Sequence, residues 1–246
     1  MDKERFLQLK DAYLKSDRNK AGIGTLKEKT VHAILKDYYA PDKDMQEVPI
    51  NGYVADIYTG EEIIEIQTAN FNKMRQKLDS FLPEYPVTLV YPIPHVKWLS
   101  WMDEETGECS PLRKSPKKGN VYHAFYELYK IKQYLNHPNL RLCFPLLDIE
   151  EYRLLNGWSK DKKKGSERFD RIPVALVDEV CICRIEDYMQ LIPYELEEPF
   201  TVSEFAKAAK IRKDEAQTVV HILHYLKLIE RCGKKGRSYA YIVKEI

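Results

Sequence analysis

Apolar positions along the chain switch between helical and strand spacing often enough to sketch most of its elements. Residues 3–17 read as an amphipathic helix followed by a turn-like stretch, and a second helix is expected from about Leu26 to Tyr39, capped by Thr25 and broken at Ala40-Pro41-Asp42. Strands are predicted at 47–50, 53–58 and 62–68, a helix over 71–82, and an almost wholly apolar central strand over 86–93. A hairpin over 96–113 turns at Glu105-Thr106-Gly107. Next come a strongly periodic helix over 121–135, a strand with an extension over 140–155, a polar, basic excursion over 157–173 and a strand over 174–183. The order from the second helix onward is α-β-β-β-α-β with later additions, an α/β pattern.

Past Pro199 the rhythm changes. Thr201 and Glu204 have capping-box spacing, a short helix leads to a second one at Glu215–Lys227, and strands at 228–232 and 238–243 flank the turn Gly233-Lys234-Lys235-Gly236. Ala206, Ala209, Ile211, Val219, Ile222, Leu223 and Leu226 supply the apolar stripe.

One hairpin breaks its own pattern. Gly60-Glu61 suits a two-residue turn with glycine first, and that loop sets Tyr58 against Ile63 and Asp56 against Glu65. Gln67 shares their face. Two like charges directly opposite destabilise a strand pair, so the arrangement makes sense around a cation; a hairpin with one wet side is the alternative. Glu28 lies in line with Val31, Leu35 and Tyr38 on the inward stripe of the second helix. It could also close a capping box on Thr25. Together Glu28, Asp56 and Glu65 offer the oxygen ligands that Mg²⁺ prefers.

These residues carry a resemblance. Glu28 on the first core helix, Asp56 in one strand, and Glu65-Ile66-Gln67 in the next followed by a helix resemble the PD-(D/E)XK nuclease superfamily, with its restriction-endonuclease-like αβββαβ core. The match covers about Leu26 to Ile93. The resemblance implies Mg²⁺- or Mn²⁺-dependent phosphodiester hydrolysis, with the metal on Asp56, Glu65 and the Ile66 carbonyl, and Glu28 serving a second ion or water. Gln67 departs from the lysine usual at its position; a glutamine orients water only through its amide, and Lys73 on the following helix is the candidate replacement cation. The departure leaves open a catalytically inactive nuclease-fold DNA-binding regulator.

Charge sharpens the second unit. The 246 residues carry a formal +1, but 199–246 hold ten Lys/Arg against five Asp/Glu, leaving the body mildly acidic. The tail resembles a winged helix, in which one helix enters a major groove and a basic wing meets the backbone. Arg212, Lys213, Gln217 and Thr218 are then the expected recognition residues, and Arg231, Lys234, Lys235 and Arg237 the phosphate contacts on double-stranded DNA; protein contacts are the alternative use. His221 and His224, three apart, read as ordinary helix residues. The loops 110–120 and 159–171 are solvated surface or further duplex clamps.

Apolar residues are 44% and charged residues 31% of the chain, an ordinary soluble profile with no membrane span and no signal peptide expected. The five cysteines are odd in number, and Cys181 and Cys183 read as small buried hydrophobes of a strand, so a reduced, cytoplasmic protein is expected. The expected domains are an N-terminal helix and linker (1–24), a nuclease-like domain (25–195) and a winged helix (199–246), assembled as a homodimer because cutting both strands needs two sites.

Overall fold

The computed structural model describes residues 1–18, 30–155 and 167–244. Its centre is a mixed sheet. Strands β1 (Gln46–Ile50), β2 (Tyr53–Tyr58) and β3 (Ile63–Ile66) form an antiparallel meander, and β3 then pairs in parallel with β4 (Val87–Val90). Strand β7 (Leu140–Leu154) lies next, flanked on its other edge by antiparallel β8 (Glu167–Ile182). Strand β5 (Ile93–Met102) continues β4 along the same edge of β7: Val87 pairs with Leu140 and Ile93 with Leu146, the same offset, until an irregularity after Pro94. A two-residue β6 (Arg113–Lys114) closes the outer side of β5.

The fold class is α/β, with helices on both faces. Helices α1 (Lys3–Arg18) and α2 (Thr30–Tyr39) cover one face. Val31, Ile34, Leu35 and Tyr38 pack with Phe6 of α1 against Ile57, Ile64 and Ile66, so the expected inward stripe of α2 is the buried one. Phe6 is fully buried there, which makes α1 part of the core rather than an appendage on a linker. Thr25 and Glu28, the expected cap and third acid, lie outside the described residues.

On the other face a 3-10 turn (Phe71–Met74) runs into α3 (Arg75–Phe81), which buries Leu78 and Phe81. The element order from α2 is therefore α2-β1-β2-β3-α3-β4. The single helix expected over 121–135 is broken: a 3-10 turn at Val121–Ala124, a short α4 (Phe125–Leu128), and another 3-10 stretch bent at Ile131 (φ −120°, ψ 21°). Its apolar spacing is right, but burying Phe125, Leu128 and Ile131 in the shared core overrides continuous winding. β8 also starts earlier than expected, at Glu167, because Arg171 and Asp170 find rungs opposite Glu151 and Tyr152 of β7. Residues 156–166 of the basic excursion lie outside the described residues.

The last unit holds α5 (Val202–Ala208), α6 (Lys213–Tyr225) and a hairpin of β9 (Ile229–Lys235) and β10 (Ser238–Val243). The Thr201–Glu204 capping box is formed in both directions. Ala216, Val219 and Leu223 of α6 share one apolar cluster with Phe125 and Leu128, so this unit is packed onto the sheet domain. Among the described residues Cys143 is the only buried cysteine; Cys181, on the edge strand β8, and Cys183, just past its end, are exposed, against expectation. No helix among the described residues is long and apolar enough to cross a membrane.

Candidate functional site

The β2–β3 hairpin has the register its turn demands: Tyr58 pairs with Ile63 and Ile57 with Ile64. The backbone NH of Thr59 donates to the Glu62 carbonyl across Gly60-Glu61, and Gly60 takes φ +90°, open to glycine at no steric cost. One rung further on, at Asp56 and Glu65, the regular ladder ends. The NH of Ile66 donates to Asp56 Oδ2 (2.8 Å), and the NH of Asp56 points at Glu65 Oε1 (3.4 Å). Each carboxylate thus takes a hydrogen bond from the backbone of the opposite strand, and the hairpin splays to hold both.

Two nitrogen-bearing side chains meet the two acids. Lys77, on α3, places Nζ 2.9 and 2.8 Å from the two oxygens of Glu65 and 2.7 Å from the Val54 carbonyl. His32, on α2, sits 3.2 Å from Asp56 Oδ2. The consequences for the two acids differ. Glu65, only 2% exposed, is pushed up to about 7, first by burial and then by the Asp56 charge, with Lys77 offsetting only part. Asp56 is also penalised by burial, but His32 and the Ile66 NH more than compensate and hold it below its ordinary value. At neutral pH the pair is one firm anion beside one poised to gain or lose a proton.

The carboxylates line an open cleft of about 1100 Å³ whose walls also carry Lys36, Lys43, Lys73 and Arg168. Lys73, the expected replacement cation, lines the cleft but makes no ion pair with either acid; Lys77, on α3, does. Gln67 lies beyond the end of β3, and its side-chain amide donates to the Ala69 carbonyl (2.6 Å) rather than joining the carboxylates. His32 and Lys77 were not singled out in the sequence. Local sequence carries no signal that singles out Lys77: it lies on α3, whereas Lys73 lies in the 3-10 turn before it.

For a metal ion the test is the donor set. Two carboxylates and the Ile66 carbonyl are hard oxygen donors that suit Mg²⁺ or Mn²⁺, and the raised Glu65 marks a place where a second cation would relieve repulsion. Such an ion competes with Lys77 for Glu65. Among the described residues there is no group of three His, Cys, Asp or Glu side chains placed to hold a metal, and Glu28 is outside them.

In the C-terminal unit, Lys213, Gln217, His221 and His224 line one side of a groove of about 390 Å³, with Arg231, Arg237 and Tyr239 on the other. Arg231 stacks over the Tyr239 ring (4.1 Å), and Lys234 also faces that ring (5.6 Å). Three expected contacts are otherwise engaged. Lys235 pairs with Glu204 (2.7 Å), the Thr218 hydroxyl donates to the Asp214 carbonyl within α6, and Arg212 pairs with Asp214 (3.0 Å). His221 packs on Tyr129 and His224 on Tyr241, the ordinary helix roles expected of them.

A second cationic hollow, of about 200 Å³, gathers Lys97, Lys117, Lys118 and His123. Its wall is tight: a Cβ on Gly119 would stand 2.0 Å from the Pro94 carbonyl, so only glycine lets this loop close on β5. Tyr91 on one side packs against Phe71 beside Lys73, and His123 on the other reaches Glu215 of α6 (3.6 Å).

Comparison with known proteins places residues 29–183 in the family described as "Domain of unknown function (DUF8091)". That stretch runs from the start of α2 through β8, and the chain belongs to this family. An uncharacterized protein of Treponema pallidum (strain Nichols) is 29% identical over 150 residues, covering 61% of this chain and 57% of its own length. The chain thus spans little more than half of that relative. No solved structure matches the chain.

Proposed function

We propose that this chain is a metal-dependent endonuclease that hydrolyses DNA phosphodiester bonds in the cleft around Asp56 and Glu65, within a restriction-endonuclease-like core. The observation that carries the reading is the splayed rung itself, where the Asp56 carboxylate accepts from the Ile66 NH and the Glu65 carboxylate from the Asp56 NH, beside a single lysine. The order α2-β1-β2-β3-α3-β4 supports it, since both acids then sit on the hairpin between the two helices, as the nuclease pattern requires.

Asp56, Glu65 and the Ile66 carbonyl would hold Mg²⁺ or Mn²⁺, which when bound lowers the pKa of water and neutralises charge on the phosphate oxygens. The chain's own residues supply the rest. His32 and the Ile66 NH keep Asp56 ionised and oriented. Lys77 takes the part of the lysine that Gln67 lacks: displaced from Glu65, its ammonium can hold a water or balance charge gathering on phosphate. Glu65, raised to about 7 without an ion, would give up its proton on binding the metal and serve as a ligand.

The C-terminal unit acts in this reading as a winged helix gripping the duplex through Lys213, Gln217, Arg231, Lys234 and Arg237. Lys117 and Lys118, which line a hollow of their own, offer further positive charge to the duplex backbone. A homodimer in the cytoplasm, cutting both strands with two clefts, completes the proposal.

Supercoiled plasmid incubated with Mg²⁺ or Mn²⁺ tests it. Nicked and linear products are expected, with loss of cleavage in Asp56→Asn. Cleavage that persists in that variant removes Asp56 from the chemistry. The rival, an inactive nuclease-fold DNA-binding regulator, is favoured by one feature: Lys77 engages both oxygens of Glu65 while Gln67 is tied to Ala69. Calorimetry separates them. An enzyme binds Mn²⁺ and loses that heat in Glu65→Ala; the regulator binds DNA without it.

A further inference from the structure

On the face covered by α2, away from the cleft, β7 and β8 bring two thiols together. Cys143 and Cys181 are directly opposite in the antiparallel ladder, so both side chains leave the same face. Cα atoms so paired are about 4.5–5.5 Å apart, inside the roughly 4.4–6.8 Å that a disulfide bridges. Their sulfurs stand 3.7 Å apart and both are free. Cys143 is buried; Cys181 is exposed on the edge strand and open to a small oxidant. Glu179 Oε1 lies 3.6 Å from Cys143 Sγ and also accepts a hydrogen bond from the Tyr39 hydroxyl (2.5 Å).

We infer that Cys143 and Cys181 form a reversible dithiol–disulfide pair that reacts with hydroperoxides, Cys181 attacking and Cys143 resolving. The surroundings divide the labour. The Cys181 thiol donates to Cys143 Sγ and the Cys143 thiol to Glu179. Once Cys181 ionises, the Cys143 thiol turns to it, and this contact draws the Cys181 pKa down to about 7. Cys143 is pushed up by the same contact and by burial and keeps its proton. The Cys181 thiolate attacks the terminal peroxide oxygen. The O–O bond breaks, Cys181 becomes a sulfenic acid, and the alkoxide takes a proton and leaves as an alcohol. Cys143 Sγ then bonds to Cys181 Sγ, the S–OH bond breaks, and hydroxide leaves as water with the thiol proton, which Glu179 is placed to pass on. Two electrons move from the two sulfurs to one peroxide; two thiols and a hydroperoxide give a disulfide, an alcohol and water. The sulfurs need close only about 1.6 Å, within one rung of an existing ladder.

The test is a peptide map of the full chain after a stoichiometric pulse of hydrogen peroxide and alkylation. Linked peptides carrying Cys143 and Cys181, two hydrogens lighter and separated again by a dithiol reductant, are expected. Cys109, Cys183 and Cys232, all exposed, serve as internal controls and should be alkylated throughout. In Cys143→Ser, Cys181 should stop at a sulfenic acid that a specific trap captures. The inference is overturned if Cys181 in the unmodified chain oxidises no faster than Cys109 or Cys232, or if it oxidises while Cys143 stays free. Both readouts use the unaltered chain, so a variant that fails to fold leaves the result decisive.

Discussion

Glu65 and Glu151 are two buried glutamates on one sheet, 2% and 0% exposed, and burial penalises the charge of each. Their neighbours set them apart. Glu151 lies on β7 with Arg153 at 2.6 Å, Arg171 at 3.0 Å and Lys97 at 3.8 Å, so its carboxyl is held down at about 2. Glu65 has one lysine and a second carboxylate on the next strand, and rises to about 7. The first is a satisfied ion network that ties β5, β7 and β8 together. The second is left short of positive charge, in a cleft, and groups so perturbed concentrate where chemistry is done. Burial alone would have ranked the two equally.

The largest expected effect removes the satisfied acid. The Glu151 shift, from 4.5 to about 2, corresponds to on the order of 3 kcal/mol. A depressed pKa stabilises above the unfolded value, and that contribution is lost as pH falls from about 4.5 through about 2. Glu151→Gln should therefore cost on the order of 3 kcal/mol near neutral pH, read by denaturant unfolding, with the deficit shrinking in acid. A neutral substitution would show that Arg153 and Arg171 do not depend on it.

The same change at Glu65 should act with the opposite sign. A raised pKa means that the contribution is complete below about 4.5 and lost as pH rises through about 7. Metal-free Glu65→Gln should thus gain on the unaltered chain between about pH 5 and pH 8, by on the order of 3 kcal/mol, a figure in which the Lys77 contact is already included. If its stability deficit grows with pH instead, Lys77 satisfies Glu65 and the contrast with Glu151 disappears.

The smallest effect belongs to the hairpin groove. Replacing Arg231 and Lys234 by alanine should weaken duplex binding by about tenfold and lower the slope of log affinity against log salt by about two, one per phosphate contact. Fluorescence anisotropy at several salt concentrations measures both. Lys235→Ala, which removes a lysine already paired with Glu204, should change the slope least.

Much of this was legible in the chain. The turn at Gly60-Glu61 specified the β2–β3 register, and with it the meeting of Asp56 and Glu65, because a two-residue loop leaves one way to pair the strands. The capping box at Thr201 and the buried stripe of α2 followed from local spacing in the same way. Long-range partners did not. Nothing around Lys73 and Lys77 says that the lysine of α3, rather than the one in the 3-10 turn before it, reaches Glu65, and the break at Ile131 depends on what packs against it.

Local spacing and dihedral preference were enough for the hairpin register, the residue types gathered in it and most of the elements, but not for the helix expected over 121–135, which packing breaks at Ile131. The packing of distant segments settled that Lys77 and His32 meet the two acids, that Gln67 bonds to Ala69 while still lining the cleft, that Glu151 is satisfied where Glu65 is not, and that Cys143 meets Cys181. Electrostatics and thiol chemistry depend on distances between segments far apart in the chain, and those distances exist only once the sheet and its helices have packed.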